Sequence, residues 1–188
     1  MKHRIFIAIN LPEEIKNQLV NYQLKWPELP CRWTKKENLH ITLVFLGYLT
    51  DEEILEASRI TKEIATKHRS FPIELTKIIY GPTDKKTPRM VWVEGSRSKE
   101  LTELQKDLED AFFENFQQIQ KENRFYTPHI TLGRIKTWQF RQIEPEERPQ
   151  IDEEINLSFE VNSIEVMESQ LKRSGPEYNI LESYQLSK

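Results

Sequence analysis

The chain has 188 residues, of which 37% are apolar and 30% charged, a composition typical of a globular protein and unlike that of a disordered or fibrous one. Its apolar runs fall short of the ~18 residues that span a bilayer, and the run Ile5 to Ile9 is too short for a secretory signal, so we expect a cytoplasmic protein without a membrane segment. The net charge of −3 argues against a broad duplex-binding surface, and the single Cys31 excludes an internal disulfide, which fits a reducing compartment.

The first 46 residues predict a strand, a helix and a second strand. The continuous apolar run at residues 4–10 predicts a buried strand, and the helical spacing of Ile15 and Leu19 predicts a helix over about 12–26. Two prolines then end this helix, because proline cannot continue the backbone hydrogen bonds. The next strand, over about 39–46, carries the first of two repeated motifs.

Capping patterns mark the starts of two helices. Asn10 with Glu13 three residues later resembles a capping box, and Leu11-Pro12, with the proline in the first helical position, is an equally good interpretation. Thr50 with Glu53 forms the second capping-box pattern. It predicts that a new helix begins directly after Thr50.

The middle of the chain continues the alternation of strands and helices. The predicted elements are a helix over 51–67, a strand over 71–80, a polar turn or mobile loop over 83–89, a strand over 90–94 and a helix over 98–117.

The last third of the chain is predicted to be mostly strands and loops. A polar exit over 117–123 leads to the second repeated motif, and the acidic, proline-containing stretch 144–154 predicts a connecting loop. Alternating apolar and polar residues on both sides of a Gly-Pro turn then predict a closing β-hairpin over about 158–186.

Four residues occur twice: His40-Ile41-Thr42-Leu43 and, 89 positions later, His129-Ile130-Thr131-Leu132. Composition predicts only ~0.3 His-x-Thr matches by chance, so the repeat indicates a duplicated unit. These residues favour strands, in which alternate side chains face opposite sides. Each copy therefore presents one imidazole and one hydroxyl on the same face.

The order of elements around the two motifs predicts the fold. A strand and a helix precede each histidine strand, and the structural repeats are expected at roughly 1–88 and 89–188. We therefore predict a single bilobal α+β domain over 1–188. Each of its two pseudo-symmetric lobes should be an antiparallel sheet with helices on its outer side, and the duplicated His-x-Thr strands should face a central cleft.

Two imidazoles on opposite sides of one ligand suit a single displacement by general acid and general base. Their ordinary pKa near 6.5 allows one to be neutral while the other is protonated, and nearby hydroxyls can bind the non-bridging oxygens of a phosphate. The sequence has no zinc-type spacing of His or Cys and no glycine-rich phosphate loop. We therefore predict phosphodiester hydrolysis without a metal or other cofactor.

The sequence resembles a known family at four stretches: RIFIAINLPEE, RWTKKENLHITLVFLG, RFYTPHITLGR and MESQLKRSGPEY. These stretches are similar to those of the 2H phosphoesterases, and most of all to the RNA 2′,3′-cyclic phosphodiesterases, long labelled 2′-5′ RNA ligases. The resemblance implies metal-independent opening of a 2′,3′-cyclic phosphate at an RNA end to give a 2′-phosphomonoester.

The resemblance also implies roles for five residues. His129 would deprotonate the attacking water, His40 would protonate the departing 3′ oxygen, and Thr42 and Thr131 would hold the phosphate oxygens. Arg134 matches a phosphate-contacting arginine of the family. Its position has the opposite parity to His129, so on a regular strand its side chain would point away from the cleft unless the strand twists, bulges or ends.

Three aromatic residues are candidates for stacking on a base: Trp33, Phe6 and Tyr126. Packing in the core is the alternative for each of them. We expect RNA ends as the partner, no membrane, no obligate protein partner and a monomer. The alternatives are a phosphodiesterase acting on 2′,5′-linked oligonucleotides or small cyclic nucleotides, reversible RNA ligation, and a non-catalytic module that binds RNA ends.

Overall fold

The computed structural model describes residues 1–83, 87–117, 119, 125–173 and 175–188. These residues form an α+β fold of nine strands and four α-helices. The strands are β1 (Lys2–Asn10), β2 (Cys31–Trp33), β3 (His40–Thr50), β4 (Phe71–Gly81), β5 (Met90–Gly95), β6 (His129–Ile135), β7 (Asp152–Val161), β8 (Ser163–Lys172) and β9 (Gly175–Gln185). The helices are α1 (Glu13–Gln23), α2 (Asp51–Lys67), α3 (Lys99–Asn115) and α4 (Thr137–Gln142).

All nine strands belong to one antiparallel sheet, with the order β7-β4-β5-β6-β3-β1-β8-β9 and with β2 paired to β6. The two histidine strands, β3 and β6, are neighbours at its centre, where Ile41 pairs with Ile130. These two isoleucines are the same residue of the repeated motif. The pairing therefore relates the two halves of the sheet by an approximate two-fold axis, and the predicted α+β antiparallel fold is confirmed.

Strand pairing crosses the boundary predicted between the repeats at residues 88 and 89. β4 lies between β5 and β7, in the half of the sheet that holds His129, and the hairpin β8–β9 pairs with β1 in the half that holds His40. The physical reason is that a strand at the edge of a sheet has unpaired backbone groups. β1 and β5 each pair with a histidine strand along one edge only. A strand from the other part of the chain pairs with the second edge, β8 with β1 and β4 with β5.

The strands that flank the two histidine strands have the same register. In one half, Asn10 lies opposite His40 and Ala8 opposite Thr42. In the other half, Glu94 lies opposite His129 and Trp92 opposite Thr131. The predicted correspondence between the two strand–helix–strand units is therefore present at the level of individual residue pairs.

One face of the sheet is buried beneath the helices. Ile5, Ile7 and Ile9 of β1 are at most 1% exposed and belong to the main core, as do the apolar residues of both histidine motifs. The predicted capping box of α2 is confirmed, because Glu53 N donates to Thr50 Oγ1 and Thr50 N donates to the Glu53 carboxylate. The other face of the sheet carries the four polar motif residues and is called the histidine face below; these residues are His40, Thr42, His129 and Thr131.

Several local predictions differ from the structure. Pro12 is the N-cap of α1 and no side chain caps that helix, while the Asn10 side chain instead accepts from Leu11 N. The short helix α4 was not predicted. The closing hairpin comprises β8 and β9 alone, because β7 ends at Val161 and pairs with β4. Parts of the predicted 83–89 loop and the 117–123 exit lie outside the described residues.

No helix among the described residues is long and apolar enough to cross a membrane.

Candidate active site

The backbone fixes the two catalytic candidates in the same orientation. His40 Nδ1 lies 2.7 Å from the carbonyl oxygen of Asn38, and His129 Nδ1 lies 2.8 Å from that of Thr127. A carbonyl oxygen only accepts, so each Nδ1 carries a hydrogen and donates it. In the neutral ring this leaves the lone pair on Nε2. Both imidazoles are therefore set to accept or donate a proton through Nε2.

Aromatic rings hold both imidazoles in place. His40 packs against Phe6 and Tyr178, each with a ring-centroid distance of 5.0 Å. His129 stacks on Trp92 at 4.0 Å, with 24° between the ring planes. The Trp92 ring in turn covers Gly81 so closely that a Cβ atom there would overlap it. Rings packed in this way lose rotamer freedom before any substrate arrives, which preorganises the site.

Burial makes both imidazoles harder to protonate than a histidine in water. Burial, with smaller contributions from the nearby His129 and Lys16, lowers the pKa of His40 to about 4, against the hydrogen bond to the Asn38 carbonyl, which raises it. Burial also lowers the pKa of His129, while the Thr127 carbonyl and Glu94 act in the opposite direction. In the free protein both rings are therefore neutral at pH 7.

The threonines lie beside the histidines on the histidine face. Thr42 Oγ1 is 3.0 Å from His40 Nε2 and, given the tautomer, donates to it. The antiparallel pairing of Ile41 with Ile130 places His40 across from Thr131 and His129 across from Thr42 when its register is continued by one residue. The motifs thus bring two imidazoles and two hydroxyls together on one face of the sheet.

A β-bulge decides where Arg134 points. Thr131 lies opposite Trp92 and Gly133 opposite Val91, so Leu132 is an extra residue on β6. A bulge of this kind reverses the alternation of side chains beyond it. Arg134 therefore lies on the histidine face, and its Nη1 atom is 3.8 Å from the Met90 sulfur that Thr131 Oγ1 also contacts, at 4.0 Å. Of the exceptions that the sequence left open for Arg134, a twist, a bulge or the end of the strand, the structure has the bulge.

Hydrogen bonds from two residues stabilise the backbone of this bulge. The carbonyl oxygen of Leu132 accepts from Thr34 N at 2.8 Å and from Gln23 Nε2 at 3.1 Å. Gln23 is buried on the inner side of α1 and also donates to the Thr34 carbonyl at 2.9 Å. A side chain of α1, distant in sequence, therefore supplies a hydrogen bond to the Leu132 carbonyl, which the bulge leaves without a partner in the neighbouring strand.

Strand β2 places an arginine, rather than the predicted tryptophan, on the histidine face. Arg32 lies directly opposite Arg134, while Trp33 lies opposite Gly133. A Cβ atom at Gly133 would come within 2.8 Å of the Trp33 ring, and that ring also stacks near Trp26. Trp33 therefore packs against the core, the alternative that the sequence left open, and Arg32 is a site residue that sequence reasoning missed.

The other two aromatic candidates also have structural contacts. Phe6 is buried in a small cluster on the histidine face with Ala8 and Met167, where it supports the His40 ring. The Tyr126 hydroxyl donates to the Thr42 carbonyl at 3.0 Å and so connects the approach to β6 with β3. Phe6 is 2% exposed and Tyr126 packs partly buried against the main core, which agrees with the packing alternative that the sequence left open for each.

Asn38 links the β8–β9 turn to His40. Its side-chain amide donates to the Pro176 carbonyl at 2.8 Å and its side-chain oxygen accepts from Tyr178 N at 3.3 Å, while its own carbonyl holds His40 Nδ1. Arg32 packs over Gly175 in the same turn. The end of the stretch MESQLKRSGPEY, which resembles the family, therefore packs beside His40 through Tyr178.

The next feature of the site is its set of potential metal ligands. Among the residues with described positions, no group of three or more His, Cys, Asp or Glu side chains is placed to hold a metal ion. Two surface depressions lie away from the histidines, one between α1 and β7 and one at the end of β1 beside the turn from β7 to β8.

Comparison with known proteins decides the family. The sequence profile of the 2′-5′ RNA ligase superfamily matches residues 11–173. The chain belongs to the 2′-5′ RNA ligase superfamily.

Relatives in this superfamily match the chain over nearly its full length. The RNA 2′,3′-cyclic phosphodiesterase of Methanocaldococcus jannaschii is 28% identical over 185 residues, covering 96% of this chain and 99% of the relative. The RNA 2′,3′-cyclic phosphodiesterase of Bacillus subtilis is 30% identical over 184 residues, covering 97% and 96%.

Solved structures of the superfamily share the fold. The crystal structure of TT0787 from Thermus thermophilus aligns with a TM-score of 0.85 and 27% identity over 97% of both chains. The crystal structure of E. coli LigT complexed with 3′-AMP aligns with a TM-score of 0.80 and 27% identity over 100% of both chains.

Proposed function

We propose that this protein hydrolyses the 2′,3′-cyclic phosphate at an RNA end to a 2′-phosphomonoester, with His129 as general base, His40 as general acid and no metal ion. The observation that carries the proposal is the pair of imidazoles held at Nδ1 by backbone carbonyls, which leaves Nε2 of each ring as the atom for proton transfer, with the Thr42 hydroxyl 3.0 Å from His40 Nε2. The names of the relatives, RNA 2′,3′-cyclic phosphodiesterases, supply the substrate class.

The reaction is a single in-line displacement at phosphorus. His129 Nε2 takes a proton from water as the water oxygen forms a bond to phosphorus. The bond from phosphorus to the 3′ oxygen breaks, and His40, protonated at Nε2, gives its proton to that oxygen. One water is consumed, and the product carries the phosphate on the 2′ oxygen.

Hydroxyl and guanidinium groups would stabilise the charge that develops on the phosphate. Thr42 and Thr131 can each donate to a non-bridging oxygen, and Arg134 reaches the same region as Thr131 through the shared contact with Met90. Donors already oriented in a partly buried site are worth more than the same donors in water, because they need no reorganisation. Arg32, opposite Arg134, adds positive charge at this edge.

Substrate binding is expected to raise the pKa of His40, which allows this histidine to act as an acid. A ring with a pKa of about 4 is neutral at pH 7 and cannot act as an acid in the free protein. The negative phosphate favours the imidazolium form and raises this pKa once it lies beside the ring. Protonation of His40 is therefore coupled to the arrival of the substrate.

The proposal is tested by phosphorus NMR of the protein with a 2′,3′-cyclic mononucleotide in the presence of a chelator. A 2′-monophosphate product is expected, and activity that disappears in chelator and returns with a divalent ion would contradict the metal-free mechanism. A 3′-monophosphate product would reverse the assignment of the leaving group.

Variants of the two histidines test the mechanism itself. His40→Ala and His129→Ala are each expected to lower kcat by about 100-fold or more, as is usual for loss of a general acid or base. His68→Ala, at a histidine that contacts Asp107 on the outer side, is the matched control. Wild-type rates in both site variants would rule out the two-histidine mechanism, and turnover of a 2′,5′-linked dinucleotide in preference to the cyclic phosphate would change the substrate class.

A further inference from the structure

Two exposed aromatic residues extend the histidine face along β3. Phe45 and Tyr48 are 60% and 59% exposed. β3 contains two bulges, with Leu43 and Leu46 as the extra residues. Each bulge reverses the alternation of side chains, so both aromatics lie on the same face as Thr42. The contact between the Phe45 and Phe6 rings, at 6.0 Å, agrees with this, because Phe6 itself packs against His40.

On β1 and β3, the neighbouring positions on this face are basic or neutral. Arg4 lies opposite Tyr48, and Lys2 lies opposite Thr50. Across β1 and β3, all of which are described, the positions on the histidine face hold no carboxylate. The strip therefore combines exposed aromatic rings with positive charge and is continuous with the candidate active site. The residues on this face are Lys2, Arg4, Phe6, Ala8 and Asn10 of β1 and His40, Thr42, Phe45, Tyr48 and Thr50 of β3.

The repeat shows that the two ends of the site differ in chemistry. The bulge at Leu43 corresponds to the bulge at Leu132, and the residues that follow at equivalent positions are Phe45 in one copy and Arg134 in the other. An aromatic ring suits a nucleobase, whereas a guanidinium suits a phosphate. The approximate two-fold symmetry of the site is therefore broken at this pair of positions.

We propose that β1 and β3 form a binding track for the single-stranded RNA that leads to the cyclic phosphate, with the terminal base on Phe45, the preceding base on Tyr48 and the linking phosphate near Arg4. This inference rests on the proposed function and names the form of its substrate. Three residues of extended strand cover at most about 10 Å, so the steps from Thr42 to Phe45 and from Phe45 to Tyr48 are each within the reach of one nucleotide.

The track also supplies a structural reason for the roles of the two histidines. A nucleoside on the Phe45 side places the ribose oxygens that bridge to phosphorus toward His40, in the same half of the sheet. In-line attack then requires water to approach from the opposite side, where His129 lies. The unlike residues at positions 45 and 134 therefore make His40 the acid and His129 the base, although the two motifs are identical.

The experiment compares kcat/KM for a 2′,3′-cyclic mononucleotide and for a dinucleotide that ends in the same cyclic phosphate. The wild type is expected to prefer the dinucleotide, and Tyr48→Ala should lower the ratio of the two values by about 5-fold or more, as expected for loss of one stacked base. Phe45→Ala should lower kcat/KM for both substrates by about 5- to 100-fold, and Phe45→Tyr should restore it. Trp138→Ala, at an exposed aromatic residue of α4, is the control that should change neither value.

A wild-type ratio in Tyr48→Ala, or a Phe45→Tyr variant as impaired as Phe45→Ala, would overturn the track. Fluorescence anisotropy with a labelled single-stranded RNA ending in a 2′-phosphate separates this inference from the proposed function. If the wild type hydrolyses neither substrate but still binds this RNA, and Tyr48→Ala weakens the binding, the proposed hydrolysis fails and the track stands. If both variants bind the RNA like the wild type, the track fails whatever the turnover.

Discussion

At the scale of single residues, the site depends on how each imidazole is held. Both histidines donate Nδ1–H to the carbonyl two residues earlier, which is a local consequence of the strand geometry and of their position at the start of β3 and β6. Partial burial then lowers both pKa values and keeps both rings neutral in the free protein. Under the proposed mechanism, the protonation of His40 must therefore accompany the binding of the substrate.

The pH dependence of turnover should reflect this coupling. Because the pKa values of His40 and His129 both lie below 6.5 in the free protein, kcat/KM is expected to have both limbs below about pH 6.5. The kcat profile should lie at higher pH, since the bound phosphate favours protonated imidazole. Initial rates measured from about pH 4 to 9 would show both shifts. A kcat/KM optimum at alkaline pH would contradict the neutral-histidine ground state.

The same burial links the stability of the fold to pH. The folded-state pKa of His40, about 4, lies below its unfolded value of 6.5, so the unfolded chain binds more protons between these values. The free energy of unfolding is therefore expected to decrease as pH falls from about 6.5 to 4, with at most about 3 kcal/mol of the decrease due to His40.

Urea denaturation at neutral and acidic pH measures this effect. His40→Gln should lose less stability on acidification than the wild type, because glutamine does not titrate. Equal losses in the two proteins would show that the pKa of His40 is not lowered in the folded state.

At the scale of elements, bulges decide which side chains of the histidine strands lie on the histidine face. A regular strand would place Arg134 on the core side, where an unpaired guanidinium is costly to bury. The extra residue Leu132 turns it to the histidine face, and hydrogen bonds from Gln23 and Thr34 satisfy the displaced carbonyl. The chemistry of the site thus depends on a helix that carries none of the catalytic candidates.

Gln23→Leu tests this dependence. The substitution removes the donor to the carbonyls of Leu132 and Thr34, and we expect the free energy of unfolding to fall by about 1–3 kcal/mol. KM for the cyclic phosphate should also rise, since the bulge that orients Arg134 loses its support. Gln18→Leu on the same helix is the control and should change stability by less than about 0.5 kcal/mol. An unchanged KM in a destabilised Gln23→Leu variant would limit the role of Gln23 to folding.

At the scale of the whole molecule, the two halves of the sheet meet through few contacts. β3 and β6 share the single pair Ile41–Ile130, and the Tyr126 hydroxyl adds a hydrogen bond to Thr42 across the same boundary. β4, from the first half of the chain, pairs with strands of the second half, and the β8–β9 hairpin, from the second half, pairs with β1. These pairings connect the two halves of the sheet. The spacing of the two imidazoles is therefore a property of the assembled sheet.

Tyr126→Phe should disturb this spacing without disrupting the fold. Loss of the hydrogen bond to the Thr42 carbonyl is expected to cost about 1 kcal/mol of stability and to lower kcat more than it raises KM, because it connects the two catalytic strands. Steady-state kinetics together with urea denaturation check both parts, with Tyr22→Phe on α1 as the control. A change in KM alone would show that Tyr126 acts on substrate binding instead.

The sequence by itself determined the features that depend on neighbouring residues. The capping box at Thr50 fixed the start of α2, the apolar runs located β1, β3, β4 and β5 within a few residues, and the repeated tetrapeptide placed His and Thr on one face. Each of these follows from hydrogen bonds or side-chain alternation over a few positions. Such patterns are complete within one segment of the chain.

Only the tertiary structure decided which strands pair and which way side chains point beyond a bulge. β4 and the β8–β9 hairpin lie in the halves opposite to those suggested by chain order, because open sheet edges are covered by whichever strand fits. Arg134 and Phe45 reach the histidine face through bulges, and Arg32 takes the place predicted for Trp33. The bulge at Leu132 is stabilised by Gln23, 109 residues away, and a contact over that distance leaves no periodic signal in the strand itself.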